Sequence, residues 1–240
     1  MNQAFSYFAP LRALRAARTL AENPDDLPQV FTILESLQGR NLHRIRARML
    51  QSPAGRRLLE GQPDIVDRLA DRAALARLPE GSLGRAYLAF VESENISAEG
   101  IRAAATQGTV GDVPLPAPLD YVHARMRDTH DLWHAVTGYR GDVLGEAALL
   151  AFILAQTKAP GVALVTAIGL LKTRRSPEAR AVILDGYRRG KQAAWLPAQE
   201  WESLLALPVT EVRRRLTLGS PPVYTPVRSS ELRSRMAAAA

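Results

Sequence analysis

The segment THDLWHAVTGYRGDVLGEAALLAF (residues 129–152) carries the pattern on which the fold prediction rests. Its first part has apolar residues at helical spacing, and the turn TGYRG (137–141) interrupts that pattern. Asp142 follows the turn directly and is a preferred residue at the N-cap of a helix. The segment therefore predicts two antiparallel helices joined by a short loop.

The flanking sequence extends this arrangement of amphipathic helices and turns. Residues 119–136 predict one long helix that ends at the turn. Lys158 and Pro160 cut the apolar stretch 147–171 into two pieces, each too short to span a membrane. No segment alternates with a period of two between hairpin turns. The sequence therefore predicts an all-α protein without a significant β-sheet.

The composition excludes several classes of site. The chain has 240 residues, of which 47% are hydrophobic and 23% charged, as is usual for a globular protein. It has no cysteine, so disulfides, thiolate metal sites and cysteine nucleophiles are excluded. The net charge of +7 would suit a nucleic acid, but the arginines are scattered and form no recognisable binding module. We therefore expect no nucleic-acid partner.

The most informative chemical feature is HDLWH at 130–134, followed after eleven residues by Glu146. A helix places His130 and His134 on one face, one turn apart, where two imidazoles can converge on one cation. Asp131 lies about 100° round the same turn, where it can ligate or can orient an imidazole. The turn then brings Glu146 opposite the histidines. The predicted metal and catalytic residues are His130, Asp131, His134 and Glu146.

The local charge supports a cation site. Residues 120–150 contain five acidic residues and three arginines, so this segment is net negative inside a basic protein. Two imidazoles and two carboxylates suit a divalent metal, with zinc first and manganese, iron and, less readily, magnesium as alternatives. A purely structural interpretation also exists, in which both histidines are core or surface residues and Glu146 complements a helix dipole.

An apolar stretch with a basic rim follows the metal motif. Residues 147–154 and 162–171 are rich in leucine, isoleucine, valine and alanine. Seven basic residues come after them, and together these features indicate an amphipathic, anionic, lipid-like substrate. The alternative is that the apolar residues are core and the basic residues a solvated face. The basic residues are Lys172, Arg174, Arg175, Arg180, Arg188, Arg189 and Lys191.

The chain resembles a known family, the ubiquinone (coenzyme Q) biosynthesis proteins numbered fourth in the eukaryotic pathway. That family has the motif HDxxH, eleven residues, then Glu, which is matched here by His130, Asp131, His134 and Glu146. The resemblance covers about residues 25–218. Its other matching stretches are SPAGRRLLEGQPDI (52–65), LPEGSLGRAYLAFV (78–91), YVHARMRDTHDLWHAVTGYRGDVLGEAALLAF (121–152) and AAWLPAQEWESLLALPVTEVRRRL (193–216).

The resemblance implies a metal-dependent decarboxylase of a polyprenylated hydroxybenzoate in ubiquinone biosynthesis, with hydroxylation of the same ring carbon as an associated reaction. It also implies other ubiquinone biosynthesis proteins as partners and peripheral contact with a membrane. That membrane would be the bacterial inner membrane, or the matrix side of the mitochondrial inner membrane in a eukaryote. A homodimer is left open. The alternative function is a non-catalytic, lipid-binding scaffold for the biosynthetic complex.

On this interpretation, residues 1–218 form a single helical domain with the metal site and an apolar prenyl-binding channel. Residues 219–240 are expected to form a C-terminal tail that is disordered or lies on the surface. A phosphohydrolase of the His-Asp type is a weaker hypothesis. It would need a further histidine and aspartate, for which His43 and Asp185 could be offered without support from their neighbours.

Overall fold

The structure of the chain is a computed structural model that describes residues 8–23, 26–98, 100 and 115–227. Over these ranges it has fourteen α-helices, one 3-10 helix (Leu196–Ala198) and no β-strand, which confirms the predicted all-α class. The α-helices are α1 (Pro10–Glu22), α2 (Leu27–Ser36), α3 (Asn41–Met49), α4 (Pro53–Gly61), α5 (Val66–Leu69), α6 (Arg72–Arg77), α7 (Leu83–Ser93), α8 (Leu119–Asp128), α9 (His130–Thr137), α10 (Val143–Thr157), α11 (Pro160–Lys172), α12 (Pro177–Gln192), α13 (Trp201–Leu204) and α14 (Val209–Arg215).

The apolar stretch after the metal motif forms two helices, as predicted. α10 ends at Thr157 and α11 begins at Pro160. Lys158 between them has a left-handed backbone (φ 55), and Pro160 stands in the first turn of α11, where its missing N–H removes no hydrogen bond. Within the described ranges, every helix is too short or too polar to cross a membrane.

The helix predicted over 119–136 is divided in the structure. α8 ends at Asp128 and α9 begins at His130, with Thr129 between them at φ −93 and ψ 0. The Thr129 hydroxyl is buried and donates to the carbonyl oxygen of Arg125. Such a bond to the preceding turn bends a helix. The prediction of one continuous helix was therefore wrong at Thr129.

Close packing between α10 and α12 fixes the centre of the molecule. Ala148, Leu149 and Phe152 of α10 are completely buried. Gly186 and Gly190 of α12 lie directly against the backbone of Ala148 and Phe152, and a Cβ atom at either glycine would overlap that backbone. This contact sets the position of α10, whose first turn carries Glu146.

Two arginine side chains hold the C-terminal end of α9. Arg213 donates to the carbonyl oxygens of Ala135 and Val136, and Arg189 donates to that of Thr137. These carbonyls belong to the last turn of α9, where the helix itself supplies no N–H group to donate to them. A cation at this end also complements the helix dipole. The helix that carries both histidines is therefore held at its end by α12 and α14.

The segment after residue 218 contacts the turn between α9 and α10. The Tyr224 hydroxyl donates to Asp142 Oδ2 and accepts from the backbone N–H of Arg140. The N–H of Val227 donates to Asp142 Oδ1, and the carbonyl of Val227 accepts from the N–H of Val143. Residues 228–240 of the predicted tail lie outside the described part of the chain, so the predicted domain bounds stay a prediction.

Candidate metal centre

The structure brings three of the four predicted site residues together. Glu146 Oε1 lies 3.0 Å from Nε2 of His134, and Glu146 Oε2 lies 3.7 Å from Nε2 of His130. The two imidazole rings are one helical turn apart, with centroids 4.9 Å from each other. One ligand atom from each residue lies within 4.8 Å of the other two. The spacing HDLWH therefore places both histidines on the face of α9 that meets the first turn of α10.

Asp131 lies beside this group rather than in it. Its Oδ1 is 3.1 Å from Nδ1 of His130, on the side of the ring away from Glu146. A carboxylate that accepts from Nδ1 fixes the tautomer and orientation of the imidazole and leaves Nε2 as its ligand atom. Of the two roles that the sequence allowed for Asp131, the geometry favours the orienting one.

His134 is held in a single orientation by two contacts. Its Nδ1 lies 2.9 Å from the carbonyl oxygen of Tyr139, and since a carbonyl can only accept, Nδ1 carries the proton. Its ring stacks on Phe90 of α7, with centroids 4.9 Å apart and planes at 12°. In the neutral ring, the lone pair is therefore on Nε2, the atom that faces Glu146.

The group fits a divalent cation. Nε2 of His134 is buried and has no hydrogen-bond partner of acceptable geometry among the described residues, although Glu146 is close. Two atoms that each lie about 2.1 Å from one zinc ion are about 3.4 Å apart at a tetrahedral angle. The two observed separations, 3.0 and 3.7 Å, lie on either side of that value. Two nitrogens and one carboxylate are also a donor set that zinc, manganese and iron accept.

The charges in the group are coupled. Burial alone would raise the pKa of the Glu146 carboxyl, but His134 and then His130 lower this pKa from 4.5 to about 2. Burial alone would lower the pKa of His134, but Glu146, the Tyr139 carbonyl and Asp131 raise it above its ordinary value. When no cation is present, protonation of His134 would balance the charge of the Glu146 carboxylate, and the raised pKa of His134 favours it. A divalent cation would take the place of that proton.

This coupling predicts how metal binding depends on pH. The pKa of His134 is higher in the folded chain than its value of 6.5 in the unfolded chain, so His134 stabilises the metal-free fold below pH 6.5. This stabilisation is lost as the pH rises through the pKa of the folded state. The pKa of Glu146 is lower in the folded chain than its ordinary value of 4.5, so Glu146 stabilises the fold above pH 4.5. This stabilisation is lost as the pH falls toward 2. Because the metal must displace the His134 proton, we expect zinc to raise the melting temperature more at about pH 8 than at about pH 6. Calorimetry at both values checks this, and an equal or larger shift at the lower pH would contradict it.

The turn between the two ligand-bearing helices is held by Asp142 and by the segment after residue 218. Asp142 is the N-cap of α10, as predicted, and its Oδ1 accepts from the N–H groups of Leu144 and Gly145. Its Oδ2 accepts from the Tyr224 hydroxyl at 2.9 Å. Since Asp142 is only four residues before Glu146, this network sets where the first turn of α10 begins.

We expect the Tyr224→Phe variant to bind metal about tenfold more weakly than the wild type. The change removes the hydroxyl that joins Asp142 to the Arg140 backbone, and supporting contacts of this kind are worth about 10- to 100-fold in metal affinity. The matched control is Tyr187→Phe, whose hydroxyl instead contacts Lys158. Titration with zinc in the presence of a competing chelator measures both. Equal affinities in the two variants would show that the segment does not position the site.

Several residues around the group were not predicted from the sequence. Phe90 comes from a helix more than forty residues upstream, and Tyr139 acts through its carbonyl oxygen, which no side-chain pattern reveals. Tyr224 was included in the predicted tail, although an aromatic residue among prolines is a weak sign of docking. His43 and Asp185, the residues offered for a phosphohydrolase, are not part of the metal-ligand group.

The comparisons with known proteins agree on one family. The family model described as "Coenzyme Q (ubiquinone) biosynthesis protein Coq4" matches residues 9–222. A protein of Talaromyces stipitatus named "Ubiquinone biosynthesis protein coq4, mitochondrial" is 33% identical over 189 residues, which is 78% of this chain and 63% of the relative. A protein of Yarrowia lipolytica with the same description is 32% identical over 188 residues, which is 75% of this chain and 68% of the relative. The match thus spans less than two thirds of the length of the first of these relatives.

A solved structure is also similar. It is a crystal structure of a protein from Nostoc punctiforme that is described as a ubiquinone biosynthesis protein. The similarity has a TM-score of 0.65 and 25% sequence identity, and it covers 89% of this chain and all of that one.

Proposed function

Because this chain belongs to the Coq4 family of coenzyme Q (ubiquinone) biosynthesis proteins, we propose that it is a metal-dependent decarboxylase of a polyprenylated hydroxybenzoate intermediate. In this reaction the bond between the ring and its carboxylate carbon breaks and carbon dioxide leaves. The electron pair stays on the ring carbon, which takes up a proton. Hydroxylation of the same carbon would need an added oxidant.

The observation that carries this proposal is the three-residue ligand group, which is buried on one side and accessible on the other. The side chain of His134 is fully buried, whereas those of His130 and Glu146 are 23% and 39% exposed. Three protein ligands with an accessible side are typical of catalytic metal sites, since structural sites are closed by four. When bound, a divalent cation supplies Lewis acidity toward phenolic or carboxylate oxygens.

The protein's own residues would hold the cation and the ring. His130, His134 and Glu146 would hold the cation, zinc being the leading choice. Asp131 and the Tyr139 carbonyl keep the two imidazoles oriented through their Nδ1 atoms. Phe90 covers the face of the His134 ring and excludes water from that side. The site residues of this proposal are therefore the predicted four, with Asp131 as a positioning residue.

Apolar surface next to the group supports a prenylated substrate. Gly169 of α11 lies beside Ala147, the residue after Glu146. Most side chains of α11 are apolar, with Thr166 and Lys172 as the exceptions, yet Leu171 and Ala167 are exposed and Ile168 is half-buried. An isoprenoid tail lying on this surface would bury it from water, at about 25 cal/mol per Å². The prenyl-binding channel of the proposal follows α11.

The proposal includes a location and partners. A substrate with a polyprenyl tail resides in a membrane, so the protein would work at a membrane surface and be bound peripherally. The curated relatives from Talaromyces stipitatus and Yarrowia lipolytica are named as mitochondrial proteins. Other ubiquinone biosynthesis proteins would deliver the substrate and accept the product, and the protein itself could act as a homodimer.

The test uses a prenylated hydroxybenzoate with a labelled carboxylate. Bound metal is measured by elemental analysis, and the release of labelled carbon dioxide is measured for the wild type and for Glu146→Gln. Glu178→Gln serves as the control, because Glu178 is an exposed carboxylate of α12 outside the ligand group. We expect near-stoichiometric metal and product from the wild type and the control. Glu146→Gln should have neither.

Two results would overturn the decarboxylase. If the wild type and Glu146→Gln release carbon dioxide equally, the reaction does not depend on the metal-ligand group. Tight binding of the prenylated acid without any reaction, with metal bound and oxidant supplied, would instead favour the non-catalytic, lipid-binding scaffold.

A further inference from the structure

A cavity lies at the end of α9 that is far from His130. We call it the arginine cleft: it has a volume of about 470 Å³ and is lined by Asp185, Arg188 and Arg189 of α12, Arg213 and Arg214 of α14, and the loop that follows α14. Its lining shares no residue with the metal-ligand group. Four arginines and one aspartate give it a strongly positive character.

Arg189 and Arg213 are the inner arginines of the cleft. Arg189 is only 8% exposed, and its Nη2 donates to the carbonyls of Thr137, Leu218 and Ser220. Its guanidinium lies over the Tyr139 ring, and its Nη1 is buried without a hydrogen-bond partner among the described residues. Burial lowers the pKa of Arg213, and the positive charge of Arg189 lowers it further. In the described part of the chain neither arginine forms an ion pair. Two cations therefore face one cleft with carbonyl oxygens as their acceptors.

The outer arginines provide accessible donors. The side chains of Arg188 and Arg214 are 70% and 74% exposed, and each pairs with one carboxylate of its own helix, Asp185 and Glu211. Surface ion pairs of this kind are weak and exchange readily with another anion. Both side chains can turn toward the cleft without loss of any contact that joins two elements.

The loop that closes the cleft adds hydroxyl groups and a strained backbone. Thr217 and Ser220 line the cleft. Thr217 has φ 54, in the left-handed region that a β-branched residue rarely adopts, and Gly219 has φ 68. Such strain persists where the surrounding structure requires it, and it is concentrated at ligand sites. Arg189 stabilises this conformation through the carbonyls on either side of Gly219.

We propose that the arginine cleft binds a phosphate-bearing anion. Guanidinium groups match phosphate oxygens in pairs, and a dianion would neutralise the two inner arginines, which have no carboxylate partner among the described residues. The cleft is larger than a bare phosphate, so the ligand would carry a further group. The same chemistry is offered by a soluble phosphate compound and by a phospholipid headgroup.

The test compares two probes on the full chain, in a chelator so that the metal-ligand group is empty of metal. Calorimetry measures the affinity for inorganic diphosphate. Flotation measures binding to vesicles of phosphatidylcholine mixed with phosphatidylglycerol. The cleft variant is Arg188→Gln with Arg214→Gln. The control, Arg174→Gln with Arg175→Gln, removes the same charge from exposed arginines after α11.

We expect the cleft variant to bind one of the two probes at least about tenfold more weakly than the wild type, because it removes two guanidinium groups that can donate charge-assisted hydrogen bonds to phosphate. The control should bind as the wild type does. Saturable diphosphate binding lost in the cleft variant would support a soluble ligand, and vesicle binding lost in the same way would support a lipid headgroup. Binding of neither probe, or equal losses in the cleft and control variants, would overturn the proposal.

Discussion

Replacing His134 with alanine is expected to lower the affinity for zinc by more than about 100-fold. The loss of a residue that only supports a ligand costs about 10- to 100-fold, and His134 would be a ligand itself. Its Nε2 is buried and has no hydrogen-bond partner of acceptable geometry among the described residues, and its ring is fixed by Phe90 and the Tyr139 carbonyl. Competition with a chromophoric chelator measures the affinity directly.

Two further variants separate the loss of a ligand from a loss of folding. Because the His134 ring is buried, alanine there also leaves a cavity. Glu146→Gln changes a half-exposed side chain and keeps its shape, so it should lose zinc and still unfold in one cooperative transition, with a free energy of unfolding lowered by the lost charge pairing with His134. His123→Gln changes a histidine outside the group and should bind zinc normally. Wild-type affinity in His134→Ala and Glu146→Gln would refute the site.

The free energy of unfolding of the Gly186→Ala variant is expected to be about 2 kcal/mol lower than that of the wild type. A Cβ atom at this position would overlap the carbonyl oxygen and carbon of Ala148, and backbone cannot move aside as a flexible side chain can. α10 and α12 would be forced apart at their central contact. Since Ala148 is two residues after Glu146, metal affinity should fall as well.

Gly169→Ala is the matched control for this prediction. It places the same methyl group in a helix interior, but the new Cβ would lie 3.5 Å from Ala147 and 3.6 Å from Ile183, at ordinary contact distance. Since alanine favours a helix over glycine by about 0.5–1 kcal/mol, we expect a neutral or slightly stabilising change. Chemical denaturation of both variants gives the two free energies. Equal effects would show that the contact between α10 and α12 is not as close as described.

Much of this arrangement follows from local sequence. The spacing of His130 and His134 needs only the geometry of one helix, and Asp142 marks the start of the next by its side-chain chemistry. Those two facts, with a five-residue turn, are enough to place Glu146 opposite the histidines. The division of the apolar stretch at Lys158 and Pro160 is equally local, because proline cannot continue a helix in its interior.

What could not be predicted depends on contacts between distant parts of the chain. The break at Thr129 accompanies a hydrogen bond from its buried hydroxyl to the Arg125 carbonyl, a bond that often bends a helix and that the sequence pattern does not reveal. Tyr224 reaches Asp142 across 82 residues, and no local pattern indicates that a proline-rich segment packs on the turn. Arg189, expected on a basic rim, is instead buried against carbonyl groups.

The most direct test of the central claim is the X-ray absorption spectrum of the full chain loaded with one equivalent of zinc. If His130, His134 and Glu146 hold the ion, the spectrum will show two imidazoles and at least one oxygen at about 2.0–2.2 Å. The imidazole signal will fall to one ring in His134→Ala. A zinc ion with no imidazole scattering, or a spectrum that is identical in the wild type and the variant, would contradict the account.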